Sequence, residues 1–364
     1  MAAGLDTAWA IEYDPKIADV ARKNLGDHVI TANIIDVDPA TLSGVDVLHA
    51  SPPCPNFSVA KQGGTETAAD IALANKVAEY IDVLRPRIFT LENVTAYHRS
   101  TSWSLIRERL YECGYWLDVA ILKAADFGVP QTRKRMIVRA IRGEWVPMLP
   151  QPEPWIGWYA AIDDLISTLP DTTLANWQIK RLPEEIISSF MIGGGGCRDI
   201  SEPAHCVTTT SALGTRAVLV NGTDAQGSTV PRPRGSPAFT VIAAQHKGMP
   251  KALLPILIGN NANATSGADI YVSAEVPAQT VRTASGGCLQ RAVLPCRIVK
   301  ITPRCLARFQ SFPDWYELPD STTLAVRGIG NAVPPLMYEK IIRQLVNYLE
   351  KSTKNHPVWR KNET

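Results

Sequence analysis

Residues 45–58 read VDVLHASPPCPNFS and place a cysteine, Cys54, shortly after an apolar run. The run at residues 45–50 is typical of a buried strand, and the prolines after it stiffen the turn because each fixes its own φ angle. Ligands of an open α/β sheet bind at the carboxyl ends of its strands. A structural cysteine, in contrast, prefers an apolar face of a helix or strand. The stretch therefore predicts an α/β sheet that presents Cys54 to a substrate as a nucleophile.

Strand-like and helix-like segments alternate on both sides of this stretch. Apolar side chains recur at helical spacing over residues 70–84 and 101–113, and Gly114 suits the end of the second helix. The alternation predicts a doubly wound, Rossmann-like sheet of parallel strands with helices on its faces. The other strands are predicted at residues 8–12, 87–91, 115–122 and 135–141.

The composition changes after residue 141, where four prolines between residues 147 and 154 form a stiff connector. Beyond the connector, three segments share a Pro-Ala step, a Thr-Val or Cys-Val pair and a basic residue before an apolar end. They indicate three related β-hairpin units, with chance similarity in a segment rich in valine and alanine as the alternative. The three segments are residues 201–219, 235–254 and 274–294.

A last helix is predicted at residues 335–351, where apolar side chains return to helical spacing after two prolines. We expect this helix to pack back on the first domain, which makes the second region an insertion. The predicted divisions are a catalytic domain at residues 1–148 and 296–351, an inserted, mainly β domain at residues 149–295, and a polar tail at residues 352–364.

Charge is distributed unevenly although the formal net charge is only +2. Residues 203–313 contain eleven lysines and arginines but three acidic residues, which favours a polyanionic partner for that region. A solvated, loop-rich surface is the alternative. The seven cysteines form no C-x-x-C pair, so the sequence indicates neither a disulfide framework nor a zinc site. No apolar stretch is long enough to span a membrane, and we expect a cytoplasmic protein.

Three further clusters have the composition of a reactive site. Glu92 begins an ENV triplet after a predicted strand, where an acid can donate a proton to a substrate. Arg133 and Arg135 alternate in QTRKR, so both guanidinium groups point to one side of an extended chain and suit a phosphate or a carbonyl oxygen. Residues 330–335 read GNAVPP and enter the last helix. Each cluster alone could be a loop, a solvated charge pair or a helix cap.

In this order, the motifs resemble those of the bacterial and phage DNA (cytosine-5) methyltransferases. The resemblance implies methyl transfer from S-adenosyl-L-methionine to C5 of a specific cytosine in double-stranded DNA, within a restriction-modification, orphan or phage setting. It also assigns the inserted domain to target recognition. The matching segments are PPCPNFS with Cys54, ENV with Glu92, QTRKR with Arg133 and Arg135, RCLARFQSFP at residues 304–313, and GNAVPP at residues 330–335.

The resemblance also implies the mechanism. The thiolate of Cys54 attacks C6 of a cytosine flipped out of the duplex, and Glu92 donates a proton to N3 of the ring. Arg133 and Arg135 hold the base carbonyl and orient the acid. Residues 55–69, which include two adjacent glycines, correspond to the loop that closes over the base.

The cofactor site is implied in the same way. Glu12 matches the acid that binds the ribose hydroxyls, with Tyr13 beside the adenine. Asn33 and Ile34 stand where the family has an Asp-Ile pair, so the adenine contact differs here. Pro53 and Asn331 complete the pocket near the methyl donor. No metal and no membrane contact are expected.

The sequence departs from the family at its beginning, because no F-x-G-x-G segment occurs in residues 1–364. In the family this segment follows the central strand of the sheet. We expect the remaining strands to leave two open edges around the position of that strand, and the sequence as given to come from a misplaced start or from a split gene whose other product is a separate polypeptide that supplies the strand. Two other functions stay open: an RNA cytosine-5 methyltransferase of the same fold, and a catalytically defective DNA-binding protein. Nucleoid association is expected for the DNA-directed alternatives.

Overall fold

The computed structural model describes residues 5–53, 66–172, 256–258, 271–273, 277–278, 291–294 and 297–355. Helices and strands alternate through its first part, as the sequence predicts. The strands are β1 (Ala10–Glu12), β2 (Val29–Thr31), β3 (Val47–Ala50), β4 (Ile88–Asn93), β5 (Tyr115–Lys123), β6 (Lys134–Arg142), β7 (Ile256–Ile258), β8 (Tyr271–Ser273), β9 (Arg291–Leu294) and β10 (Arg297–Lys300). The helices are α1 (Pro15–Leu25), α2 (Ala68–Leu84), α3 (Thr101–Glu112), α4 (Pro303–Phe309), α5 (Thr322–Asn331) and α6 (Pro335–Asn355).

The described strands of the first part form two sheets. Strands β1 and β2 pair in parallel, and a second sheet has the order β3-β4-β6-β5. Strands β1 and β3 are therefore edge strands among the described elements, which agrees with the expected division of one sheet into two. A third, antiparallel sheet has the order β10-β9-β7-β8.

The larger sheet is mixed, which corrects the expectation of parallel strands throughout. Strands β3 and β4 are parallel, but β6 pairs antiparallel with both β4 and β5. The reason lies in the connection between β5 and β6, which is a short 3-10 segment and loop at residues 124–133. A short connection joins antiparallel neighbours, whereas a parallel pair needs a long crossover. Helix-like periodicity is absent from this connection, so the sequence already contained the signal.

The two faces of the larger sheet pack against different helices. Phe89 and Leu91 of β4 point into a core with α2 and α3, while Ile88 points the other way, toward Ile342 and Leu345 of α6. This alternation follows from the two-residue period of a strand. Ile342 and Leu345 of α6 thus pack against β4 on the face opposite to α2 and α3.

Local signals define where the helices begin. Asp14 caps α1 by accepting from the amides of Lys16 and Ile17, and Pro15 occupies the first helical position. Thr67 and Asp70 form a reciprocal capping box at the start of α2.

The chain divides into two compact units. Unit 1 contains Met1–Ile156, Pro277–Gly287 and Pro303–Thr364, and unit 2 contains Gly157–Val276 and Cys288–Thr302. The domain limits expected from the sequence, at residues 148 and 296, stay a prediction. The assignment of the second unit to target recognition stays a prediction, and most of the three hairpin segments lies outside the described residues. Among the described helices, none combines the length and apolar character that a membrane span needs.

Candidate active site

The site is built at the carboxyl ends of the strands in unit 1. Glu12 ends β1, Pro53 follows β3, and Glu92 and Asn93 end β4. Asn33 lies two residues beyond β2. Parallel strands place their carboxyl ends at the same edge of a sheet, so each parallel pair presents its polar residues together.

Glu92 is held by two arginines that come from one segment. Its Oε1 atom lies 2.9 Å from Nε of Arg135 and 3.7 Å from Nη2 of Arg133. The side chain of Glu92 is 6% exposed and that of Arg133 is 2% exposed, so this ion pair is almost completely removed from water. The structure thus brings together three of the four residues predicted to be catalytic.

Burial raises the pKa of Glu92 above its ordinary value, because a carboxylate loses its hydration there. The positive charges of Arg133 and Arg135 act in the opposite direction and lower the pKa. The effect of burial is the larger one. A carboxyl group with these surroundings keeps its proton to higher pH than an exposed glutamate and can act as an acid.

Arg133 also connects the acid to the turn before α6. Its Nη1 atom donates to the backbone oxygen of Gly330 at 2.9 Å. Residues 330–335 are the GNAVPP motif, which is separated from Arg133 by almost 200 positions in sequence. The motif therefore lies beside the acid, as its grouping with the other motifs predicts.

Cys54 lies outside the described residues, but the chain is described up to Pro53. Asn93 donates from Nδ2 to the backbone oxygen of Pro52 at 3.2 Å, and its Oδ1 atom accepts from the amide of Val94 at 2.8 Å. The residue next to the acid thus anchors the chain two positions before the cysteine. The sequence analysis assigned no role to Asn93, although it is the second residue of the ENV triplet.

A second polar group that the sequence analysis missed ties β3 to β4 and α6. Nδ1 of His49 lies 2.9 Å from Oγ1 of Thr90, which lies 3.0 Å from the hydroxyl of Tyr338. Burial lowers the pKa of His49 to about 4, so the imidazole is neutral at physiological pH. Burial also raises the pKa of Tyr338 to about 12. These contacts fix β3 directly before the turn that leads to Cys54.

The residues predicted to bind the cofactor differ in their surroundings. Oε1 of Glu12 accepts from the amide of Asp14 at 2.8 Å, which orients the carboxylate at the end of β1. Tyr13 is 74% exposed, so its ring is available to a flat ligand. Oδ1 of Asn33 accepts from the amide of Ile35 at 3.1 Å, which commits its only acceptor to the local backbone. Ile34 begins the 3-10 helix that Asn33 caps, and Pro53 and Asn331 are exposed.

No group of His, Cys, Asp and Glu side chains in the described part of the chain could hold a metal ion.

The profile of the C-5 cytosine-specific DNA methylases matches residues 1–201 and 241–347. The chain belongs to this family. Every motif quoted from the sequence falls inside the matched ranges, and the predicted α/β, Rossmann-like methyltransferase fold is confirmed. As a C-5 cytosine-specific DNA methylase, the chain is an enzyme of the methyltransferase class.

Two relatives and one solved structure place this methylase among known proteins. M.NgoFVII, a type II methyltransferase of Neisseria gonorrhoeae, is 26% identical over 347 residues, or 92% of this chain and 78% of that protein. M.NaeI, a type II methyltransferase of Lentzea aerocolonigenes, is 37% identical over 160 residues, or 42% of this chain and 38% of that protein. The S. pombe Dnmt2 methyltransferase has a similar fold, with a TM-score of 0.50 at 16% identity over 94% of this chain and 91% of that one.

Proposed function

We propose that this methylase transfers a methyl group to C5 of a specific cytosine in double-stranded DNA through a covalent bond between Cys54 and C6. The observation that carries the proposal is the buried Glu92, which contacts two guanidinium groups and stands beside Asn93, the anchor of the segment that leads to Cys54. An acid of raised pKa next to a nucleophile supplies what addition to a pyrimidine needs.

The chemistry follows from the electronic structure of cytosine. Its C5 atom is a weak nucleophile until a thiolate adds to C6, because addition converts the ring to an enamine. As the Cys54 sulfur forms its bond to C6, Glu92 donates a proton to N3 and relieves the negative charge that develops on the ring. Arg133 and Arg135 stabilise the base carbonyl and keep the acid in place. After C5 has taken up the methyl group, it loses its proton to water, the Cys54 thiolate leaves C6, and the proton on N3 returns to Glu92.

The target base must leave the double helix, because its reactive atoms are stacked within the duplex. Residues 55–69 are proposed to close over the flipped base, and most of them lie outside the described residues. The excess of basic residues at residues 203–313 supports DNA as the polyanionic partner, since phosphate contacts provide most of the affinity of such regions. We expect the enzyme to be associated with the nucleoid.

The residues at the strand ends fit S-adenosyl-L-methionine. The carboxylate of Glu12 has the chemistry to bind two ribose hydroxyls, and the exposed ring of Tyr13 suits an adenine face. Pro53 and Asn331 complete the proposed site, together with Asn33 and Ile34. When bound there, the cofactor supplies an electrophilic methyl group.

Asn33→Asp is expected to strengthen cofactor binding. Asn33 uses its Oδ1 atom to cap Ile35, so its single acceptor atom is already engaged by the backbone. A carboxylate can cap the same amide with one oxygen and accept from the adenine amino group with the other. Calorimetry with S-adenosyl-L-methionine should give a dissociation constant lower by about tenfold, because a hydrogen bond to a charged group contributes roughly 1.5 kcal/mol.

The matched control is Asp38→Asn, which makes the reverse exchange at the residue that caps the next 3-10 helix. It should leave the dissociation constant unchanged. Equal affinities of Asn33→Asp and the unmodified chain would contradict the assignment of Asn33 to the adenine contact.

The function is tested by methylation with cofactor that carries a labelled methyl group. Duplex DNA should accept the label, and digestion should release it as 5-methylcytosine. Label in tRNA but not in duplex DNA would establish the RNA-directed alternative. Specific DNA binding without any label transfer would establish the catalytically defective alternative.

We also propose that an extended segment outside the described strands adds between β1 and β3. Ala10 and Glu12 direct their backbone groups to β2, so those of Ile11 face the opposite edge. No described strand pairs with that edge of β1 or with the free edge of β3. Ile11 of β1 and Leu48 of β3 nevertheless pack into one hydrophobic core. An extended segment that adds there would satisfy both edges.

Co-expression tests this second proposal. Residues 1–364 are produced alone, with a separately expressed peptide designed as a strand followed by an F-x-G-x-G segment, and with a scrambled version of that peptide as control. We expect the intact segment to raise cofactor affinity at least about tenfold by stabilising the folded site. Equal cofactor binding and methylation by residues 1–364 alone would contradict the proposal. The methylation assays of the variants use whichever of these preparations has the highest methylation activity.

A further inference from the structure

The buried glutamine Gln310 lies directly after α4 and contacts two parts of the site. Its Oε1 atom accepts from Nε2 of Gln131 at 2.7 Å, and its Nε2 atom donates to the backbone oxygen of Ala332 at 2.6 Å. Gln131 precedes Arg133 by two residues, and Ala332 follows Gly330 by two residues. Gln131 and Gln310 are both fully buried.

These contacts join two segments that Arg133 also joins. Arg133 donates to the oxygen of Gly330, and Gln310 donates to the oxygen of Ala332, on either side of Asn331. The next residue, Ser311, has a φ angle of +64°, and its hydroxyl oxygen accepts from the amide of Leu336 at 3.1 Å. The junction between α5 and α6 is therefore held at three backbone atoms, which are the oxygens of Gly330 and Ala332 and the amide of Leu336. Gln310 and Ser311 bind the last two.

We propose that Gln310 is a positioning residue for methyl transfer. It fixes the QTRKR segment and the turn at residues 330–335 against each other, and thereby holds the Arg133 guanidinium at Glu92. This inference rests on the proposed function, because it assigns Gln310 to the catalytic role of Arg133 and Glu92.

The geometry makes a glutamine well suited to this position. The contact to Gln131 needs an acceptor and the contact to Ala332 needs a donor, and an amide side chain supplies one of each. Leucine supplies neither. A glutamate carboxylate keeps the acceptor but cannot donate to a carbonyl oxygen. Gln310→Leu therefore removes both contacts, whereas Gln310→Glu removes only the contact to Ala332.

The experiment compares Gln310→Leu and Gln310→Glu with Gln344→Leu. Gln344 of α6 is the control because it also joins two segments. Its Oε1 atom accepts from Arg139, and its Nε2 atom donates to the backbone oxygen of Met148. Both Gln310 variants should lose about 10- to 100-fold in kcat, because misplacing a catalytic group by about 1 Å has an effect of that size. Their KM for DNA should change little. Gln344→Leu should keep the kcat of the unmodified enzyme.

A pH profile distinguishes positioning from a merely structural role. The charged groups that face Glu92 in the described residues are Arg133 and Arg135, and both lower its pKa. If Arg133 moves away in Gln310→Leu, the pKa of Glu92 rises and the alkaline limb of kcat moves to higher pH. A smaller folded fraction would reduce kcat equally at every pH and leave the limb in place.

The outcomes separate this inference from the function on which it rests. A shifted limb and a reduced kcat in Gln310→Leu, with neither change in Gln344→Leu, support the positioning role. An unshifted limb, or the same kcat in the Gln310 and Gln344 variants, overturns it while 5-methylcytosine production by the unmodified enzyme upholds the proposed function. If the unmodified enzyme produces no 5-methylcytosine, the proposed function fails and the inference fails with it.

Discussion

Cys54→Ser should abolish methyl transfer while the enzyme still binds DNA and cofactor. A serine hydroxyl is hardly ionised at physiological pH and is a far weaker nucleophile toward C6 of cytosine than a thiolate. Without addition to C6, C5 does not become nucleophilic. We expect kcat to fall by at least about 10⁴-fold, as is typical when a covalent nucleophile is removed.

Single-turnover methylation measures the loss of methyl transfer, and equilibrium binding measures the retained affinity for DNA. Cys113→Ser is the matched control, since Cys113 is buried at the end of α3 and donates to Oδ1 of Asp82 at 3.7 Å. It should retain the activity of the unmodified enzyme. Methylation by Cys54→Ser at a rate near that of Cys113→Ser would exclude Cys54 as the nucleophile.

Glu92→Gln should lower kcat by about 10²- to 10⁴-fold, the usual contribution of a general acid. The amide keeps the shape of the side chain and can donate a hydrogen bond to N3, but it cannot transfer a proton. The pH profile should change as well. In the unmodified enzyme, activity falls as the pH rises through the raised pKa of Glu92, because the protonated form is the active one. Glu92→Gln has no such group and should lose that alkaline limb.

The control for this variant is Asp118→Asn. Asp118 pairs with the buried Arg139 at 2.6 Å on the same sheet, so its substitution also removes the carboxylate partner of a buried arginine. Thermal unfolding measures the stability of both variants, and only Glu92→Gln should lose activity. A Glu92→Gln enzyme that retains the alkaline limb would show that another group produces it.

The sequence predicts the elements of the catalytic unit well because their patterns are local. The apolar run before Cys54 becomes β3, and the helical spacing after residue 70 becomes α2. Glu92, Arg133 and Arg135 could be grouped in advance only through the resemblance of their motifs to the family. The antiparallel pairing then places the start of β6 beside the end of β4. The antiparallel direction of β6 was missed because the period of a strand gives no direction, although the short, non-helical connection from β5 indicates it.

The supporting contacts could not be predicted from the sequence. Gln131 and Gln310 are separated by 179 positions, and nothing in their local patterns indicates a hydrogen bond between them. The contact from Asn93 to Pro52 joins two strand ends and depends on how β3 and β4 align. The trio of His49, Thr90 and Tyr338 also depends on packing between strands and a helix. Such contacts arise from the tertiary fold, which single segments do not specify.

The most direct test of the account is capture of the covalent bond to Cys54. Duplex DNA with 5-fluorocytosine at the target position lacks the C5 proton, so the final elimination cannot occur after methyl transfer. We predict a complex between enzyme and DNA that survives denaturation and forms only with S-adenosyl-L-methionine. After digestion, mass spectrometry should find the modified base attached to the peptide that contains Cys54. Adduct on another residue, or no adduct from an enzyme that makes 5-methylcytosine, would contradict the mechanism.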